Sequence, residues 1–432
     1  MGKLNHTAHL SQFPGVAKTN PVNLRPRLAT GANLRIIPGL DFTPVLNTQL
    51  FRRGTPLPSA SVSKIWKNVD IPSTFAWDIV EHIQQRYKVL FNKHINPTVA
   101  QQLLSPVENQ GLCGSCWAIT ASSMLSDRVA IYYLSKNVAL STTHLLSCVN
   151  KKSDKKAISL GCLGGDPYDA MQFAVKHGVV VSDCSKNSTY NWCSSSKLCQ
   201  NKCVGDCDVD TLNDLLPTCE FAKGCSKIHV EINSARYIGL NNQSVSSIQR
   251  EIKRELYFNG PVVASYMVYM DFMIGTWGET NGIYIHGAYN TKDPETGVDA
   301  SAVKVGGHAI CIIGYGHEEG IPDYGRVDYW ILRNSWSNKW KDNGYCKVAM
   351  TNVKRNINNA LSLDRPIDGM GGVLVADVKY SSRTKLKQYL RESLDIATNG
   401  SDKPIAAIVT MVVVFLLFII LLVAYIYRTH TK

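Results

Sequence analysis

Between residues 116 and 132, apolar side chains return at helical intervals: Trp117, Ala121, Met124 or Leu125, Val129 and Tyr132 share one face, which predicts a helix starting at Cys116. Later stretches differ. The runs GPVVASY from Gly260, HAICIIG from His308 and YWILR from Tyr329 are short, rich in β-branched or aromatic residues and bounded by Gly or Asn-Gly turns. They predict strands. Helices first and strands later give an α+β class with two lobes, and no internal repeat is visible. A third pattern closes the chain, where Ile405 to Tyr427 carries neither a charge nor a polar face. At about 1.5 Å per residue it reaches across an apolar layer of roughly 30 Å, so it predicts a transmembrane helix.

Composition changes this picture little. The 432 residues are 45% apolar and 19% charged, as in a globular protein able to bury a sizeable core. The net charge of +12 is uneven, because residues 1–70 carry nine Lys/Arg against Asp41 and Asp70. No aromatics interleave with these charges, so the arm reads as a solvated or processed extension and no nucleic-acid partner is expected. The N-terminus has no apolar h-region, and His6 stands where a myristoylation motif wants Ser or Thr. Neither a secretory signal peptide nor a myristoyl group is expected. The expected organisation is an N-terminal extension or prosegment over 1–69, a globular body over 70–375, a juxtamembrane linker over 376–403, the membrane helix over 404–427 and a short tail over 428–432.

The chemistry begins in QGLCGSCWAIT, where Cys113 and Cys116 are two residues apart. Such a pair can be half a zinc site, a thiol–disulfide exchange motif, or one structural and one nucleophilic sulfur. A nucleophilic sulfur needs a base and donors for the oxyanion. His308, in VGGHAICIIGYG, is flanked by paired glycines on a predicted strand, and Asn334, in RNSWSNKW, can orient an imidazole while Trp336 screens their bond from water. Taken singly, His308 reads as a core histidine and Asn334 as a turn.

Together, Gln110, Cys116, His308 and Asn334 follow the order and local contexts of the papain family, and QGLCGSCWA resembles its nucleophile segment. IPSTFAW, LSDRVAIY, GCLGGDPYDAMQFAVKHGVV, ELYFNGPVVASYMVYMDF and WKDNGY resemble its cathepsin B-like members, over roughly Ile71 to Pro366. The resemblance implies a helical left domain and a β-barrel-like right domain. It makes Cys116 the nucleophile, His308 the general acid/base, Asn334 its orienter and Gln110 an oxyanion donor, acting on protein or peptide substrates with neither cofactor nor metal. It also implies a Cys113–Cys162 bridge, a substrate-binding edge at Gly164, Gly165 and Asp166, and Ala360 at the floor of the second specificity pocket. The alternative is a catalytically silent homologue that binds peptide or matrix ligands.

Seven cysteines, at 184, 193, 199, 203, 207, 219 and 225, crowd one inserted segment, and Cys148 is expected to pair into it. Cys311 and Cys346 read as buried thiols. Departures from the family are Lys341 in place of a usual glycine, an insertion between Trp77 and Pro106, and Asp166 at a cleft rim usually lined by an aromatic. Cathepsin B-like enzymes hold a substrate's terminal carboxylate with two adjacent histidines, and here no two histidines are adjacent. A single-pass membrane location is expected, but its side stays open. The C-terminal anchor and basic flank favour the cytosol, whereas the cysteine density favours an oxidising compartment.

Overall fold

The computed structural model describes residues 69–376 except 93, 112, 135, 151–158, 185–213, 215, 231–234, 239–243, 294–295 and 351–372. All lie in the first of two units into which the chain divides, Met1–Ser381. Ala360, Cys193, Cys199, Cys203, Cys207 and the run from Ile405 to Tyr427 lie outside the described residues. Among the described residues no helix is long and apolar enough to cross a membrane.

In chain order the elements are β1 (Phe75–Ala76), α1 (Val80–Phe91), α2 (Pro97–Ala100), α3 (Cys116–Tyr133), α4 (Thr142–Cys148), α5 (Pro167–His177), β2 (Val179–Val180), β3 (Lys227–Ile228), β4 (Arg236–Ile238), α6 (Val245–Asn259), β5 (Val262–Tyr269), α7 (Met270–Ile274), β6 (Ile283–Tyr284), β7 (Lys304–Ile321), β8 (Gly325–Arg333), β9 (Tyr345–Ala349) and β10 (Val373–Val375). The helices-then-strands reading describes this order well. The insertion between Trp77 and Pro106 forms α1 and α2. Ile83 and Tyr87 of α1 enter the core, and the Arg86 guanidinium donates to the carbonyls of Tyr257 and Phe258 at the end of α6.

Helix starts follow side-chain capping, which satisfies backbone donors that have no partner inside the helix. Ser141 accepts from the backbone of His144 at α4, Asp166 from Tyr168 at α5, and Ser244 from Ser247 at α6. Helix α3 behaves differently from the one-faced pattern predicted for it. Ser122, Ser126, Asp127 and Arg128 are buried along with Trp117, Ala121 and Val129, whereas Tyr132, placed on the apolar face, is 70% exposed. The helix is enclosed on nearly all sides, so its small and polar residues find partners inside the protein.

The main sheet has eight strands in the order β4-β10-β5-β7-β8-β9-β6, with β1 on the β7 edge. All pairs are antiparallel except β6 with β9. Strand β7 is its spine, pairing with β5, β8 and, beyond the end of the β5 ladder, β1, and Gly314 gives β1 room to lie alongside. A Cβ there would stand 2.6 Å from the Phe75 carbonyl.

Buried ion pairs fasten α3 to these elements. Arg333 at the end of β8 donates to Asp127 at 2.7 Å and to the Ser105 carbonyl at 2.9 Å, while Glu255 of α6 bridges Arg128 and Arg236. Removing one partner from such a pair typically costs about 3–5 kcal/mol, because the other charge stays buried. Disulfides join Cys113 to Cys162, Cys148 to Cys219 and Cys184 to Cys225.

Candidate active site

Three elements converge on the site. Cys116 is the first residue of α3, buried and outside any disulfide, where the partial positive charge of a helix N-terminus favours a thiolate. His308 lies on β7 opposite Tyr266 of β5. Asn334 follows β8 directly.

Side-chain and backbone contacts hold these elements in register. The Gln110 backbone donates to the Ser335 carbonyl at 2.9 Å, the Ser335 hydroxyl donates to Gln110 Oε1 at 2.6 Å, and Asn109 forms a β-bridge with Trp336. The nucleophile loop and the asparagine loop are therefore one unit. One turn below Cys116, the carbonyl of Thr120 accepts from the thiol of Cys311, which lies three residues beyond His308. This bond ties β7 to the first turns of α3.

The tautomer of His308 follows from the bonds around it. Asn334 Oδ1 accepts from the Ser335 backbone N–H at 2.8 Å, which fixes the amide orientation, and the same oxygen lies 2.8 Å from His308 Nε2. A carbonyl oxygen cannot donate, so Nε2 carries the hydrogen. Nδ1 then presents a lone pair, and it is buried without a hydrogen-bond partner among the described residues. Trp336 stacks on the imidazole with ring centroids 4.8 Å apart, covering this bond. Burial pulls the His308 pKa down to about 4, against the opposing effect of the Asn334 bond, so the ring is neutral until an anion appears beside it. A neutral imidazole with a bare Nδ1 can take a thiol proton.

Gly164 adopts φ 110, a backbone conformation that favours glycine, and a Cβ on Gly165 would stand 2.6 Å from Ser159 Oγ and 2.7 Å from the Trp117 ring, so local packing requires that glycine. Asp166, expected at the rim, is buried. Its carboxylate caps α5 and accepts from Tyr237 at 3.4 Å, and burial together with Asp169 pushes its pKa up to about 8. Asp166 thereby satisfies the first free backbone donor of α5. The Gln110 amide donates to the Cys113 carbonyl at 3.1 Å.

Sequence reasoning missed Ser335, Arg333, Asp127 and Glu108. Glu108, two residues before Gln110, is half-buried, and loss of hydration pushes its pKa up to about 7 while Arg333 and Thr142 oppose that rise. An acid beside the QGLCGSCW segment was the available signal, but burial is not written in it.

A family model described as papain family cysteine protease matches residues 92–364, more than half of the chain. The chain belongs to the papain family of cysteine proteases. Its relatives include cathepsin B-like cysteine proteinase 6 of Caenorhabditis elegans, 30% identical over 247 residues, 56% of this chain and 57% of that protein. Cathepsin B-like protease 1 of Arabidopsis thaliana is 30% identical over 238 residues, 55% of this chain and 52% of that protein. The chain thus matches little more than half the length of these relatives. Among solved structures, procathepsin B S9 from Trypanosoma congolense is similar at 19% identity and a TM-score of 0.46, over 86% of this chain and 89% of that one.

Proposed function

We propose that this chain is a membrane-anchored cysteine endopeptidase in which Cys116 is the nucleophile, His308 the acid/base and Asn334 the orienter. The observation that carries the reading is the bare Nδ1 of His308, set by the Asn334 bond under Trp336. The thiol proton of Cys116 passes to Nδ1, and the thiolate attacks the substrate carbonyl carbon. The oxyanion that forms is met by the Cys116 backbone N–H and an N–H of the Gln110 amide. His308 then returns the proton to the leaving amine nitrogen, the C–N bond breaks, and a thioester to Cys116 remains. Water attacks the thioester, giving its proton to Nδ1, and releases the acid and the thiolate.

Endopeptidase action is proposed over removal of C-terminal dipeptides because no histidine lies between Cys184 and Cys225 and no two are adjacent anywhere. Lysines in that segment hold a carboxylate less selectively than a fixed pair of donors. Ala360 supports a preference for Leu, Val or Phe over Arg in the second pocket. The apolar run from Ile405 to Tyr427 supports single-pass anchoring, and the composition of 1–69 supports a prosegment cut near Asp70-Ile71.

A thiol-directed, substrate-like probe tests the core of this reading. It should label the wild type and leave Cys116→Ala unlabelled and inactive, whereas labelling or turnover that survives Cys116→Ala overturns it. Digestion of an unstructured polypeptide should give internal fragments early, and stepwise loss of C-terminal dipeptides overturns the endopeptidase assignment.

A further inference from the structure

Tyr266 of β5 pairs directly with His308 of β7, so the two side chains leave the sheet on the same face, with ring centroids 5.9 Å apart. The Tyr266 hydroxyl is buried and has no hydrogen-bond partner among the described residues, and the same holds for His308 Nδ1. Two orphaned polar groups, one of them a donor, thus lie on the face of the sheet that carries the site. A buried hydroxyl is expected to find a partner, and its absence in the resting arrangement calls for a reason.

Several titratable groups face this hydroxyl: Cys346 from β9, Cys116 from α3, Tyr284 from β6 and His308 from β7. Phe272 of α7 adds an apolar wall. Burial pushes the Cys346 thiol far above the usual thiol range and Tyr284 well above the usual phenol range, so both stay neutral. In the proposed mechanism Cys116 is the group among them that carries a negative charge. Helix α3, which Cys116 opens, packs against both β5 and β7, the strands that carry Tyr266 and His308.

We propose that Tyr266 is a positioning residue of the catalytic pair, whose buried hydroxyl turns its proton toward the charge on Cys116 and favours the thiolate–imidazolium form over the neutral one. Inside a low-dielectric site an oriented O–H dipole acts strongly on a nearby charge. The hydroxyl is held by no hydrogen bond among the described residues, so its dipole is free to follow a charge that forms nearby, and its effect falls on ionisation rather than on folding. This inference rests on Cys116 being the nucleophile.

The test is the rate of alkylation by iodoacetamide against pH, measured on the full chain for wild type and Tyr266→Phe. In Tyr266→Phe the acid limb should move up by about half a unit to one unit, making alkylation on that limb roughly three- to tenfold slower, with the plateau rate kept. A fluorinated tyrosine at 266, a stronger donor of nearly the same size, should move the limb down, which covers the case in which Tyr266→Phe fails to fold. Limbs that overlay the wild type in these variants overturn the proposal, including when melting temperature alone changes. Cys116→Ala separates the two levels: fast alkylation that persists in it defeats the nucleophile assignment itself.

Discussion

His308 Nε2 and Asn334 Oδ1 meet at 2.8 Å with both side chains buried, and the same oxygen accepts the Ser335 backbone N–H. This shared acceptor locks both the amide orientation and the imidazole tautomer. Asn334→Ala should therefore release the ring and lower kcat/KM by roughly 10- to 100-fold, as expected for a hydrogen bond to a group that becomes charged. Steady-state kinetics on a peptide substrate check this, and an unchanged kcat/KM would deny Asn334 any orienting role.

Legibility varied with how local the signal was. VGGHAI and RNSWSN are each short and near-contiguous, so the pairing of His308 with Asn334 could be anticipated from the sequence, and the strands around His308 follow from their β-branched residues. What holds them together is non-local. The pairing of Arg333 with Asp127 spans 206 residues, and the bond from Ser335 to Gln110 spans 225. No periodicity encodes such contacts. The same limit explains Asp166, which sits in a rim-like sequence position but takes the cap of α5 because Pro167 fixes the start of that helix.

The neutral, bare Nδ1 of His308 should titrate according to what faces it. In Cys116→Ala the ring has no thiolate to stabilise its charged form, so its pKa should lie near the value of about 4 that burial imposes. In the wild type the thiolate should hold the ring protonated to a higher pH. An NMR titration of the His308 ring in both proteins measures the difference, and identical curves would mean that Cys116 and His308 are not coupled.

Cys113 and Cys116 should separate by phenotype. Cys113 closes a disulfide to Cys162 across 49 residues, and its loss typically costs about 2–5 kcal/mol. Cys113→Ser should lower the unfolding free energy measured in denaturant by that amount, whereas Cys116→Ala should leave it nearly unchanged. A stable Cys113→Ser would indicate that the bridge constrains little in the unfolded chain.

The buried carboxyl of Asp166 should make stability depend on pH with a definite sign. Its pKa is raised from 3.8 to about 8, so the folded protein keeps this proton while the unfolded chain loses it, and stability falls as pH climbs through that window. Asp166→Asn preserves the helix cap without a charge to bury. Its melting temperature relative to wild type should therefore rise between pH 5 and pH 8. Because the carboxyl faces Tyr168 and Tyr237, the ratio of Leu to Arg substrate cleavage should not change, and a lost Arg activity would place the carboxylate in the substrate pocket after all.

Lys341 stands in WKDNG with φ 44, in the left-handed region, where a side chain costs about 1–2 kcal/mol and glycine costs nothing. The structure also shows what the lysine contributes there. Its ammonium donates to the Gly275 carbonyl and lies 4.0 Å from the centroid of the Trp277 ring, a contact that offsets the strain by roughly 0.5–2 kcal/mol. Trp277 packs on Trp340, and Trp340 on the Trp336 that covers His308. Two substitutions separate strain from contact. Lys341→Gly loses both together and should stay within about 1 kcal/mol of wild type, while Lys341→Ala keeps the strain, loses the contact and should be the less stable of the two. Denaturant unfolding of the three proteins gives the order directly. If Lys341→Ala matched wild type, the ammonium would contribute nothing to this turn, and if Lys341→Gly fell as far as Lys341→Ala, the left-handed backbone would carry no strain to relieve.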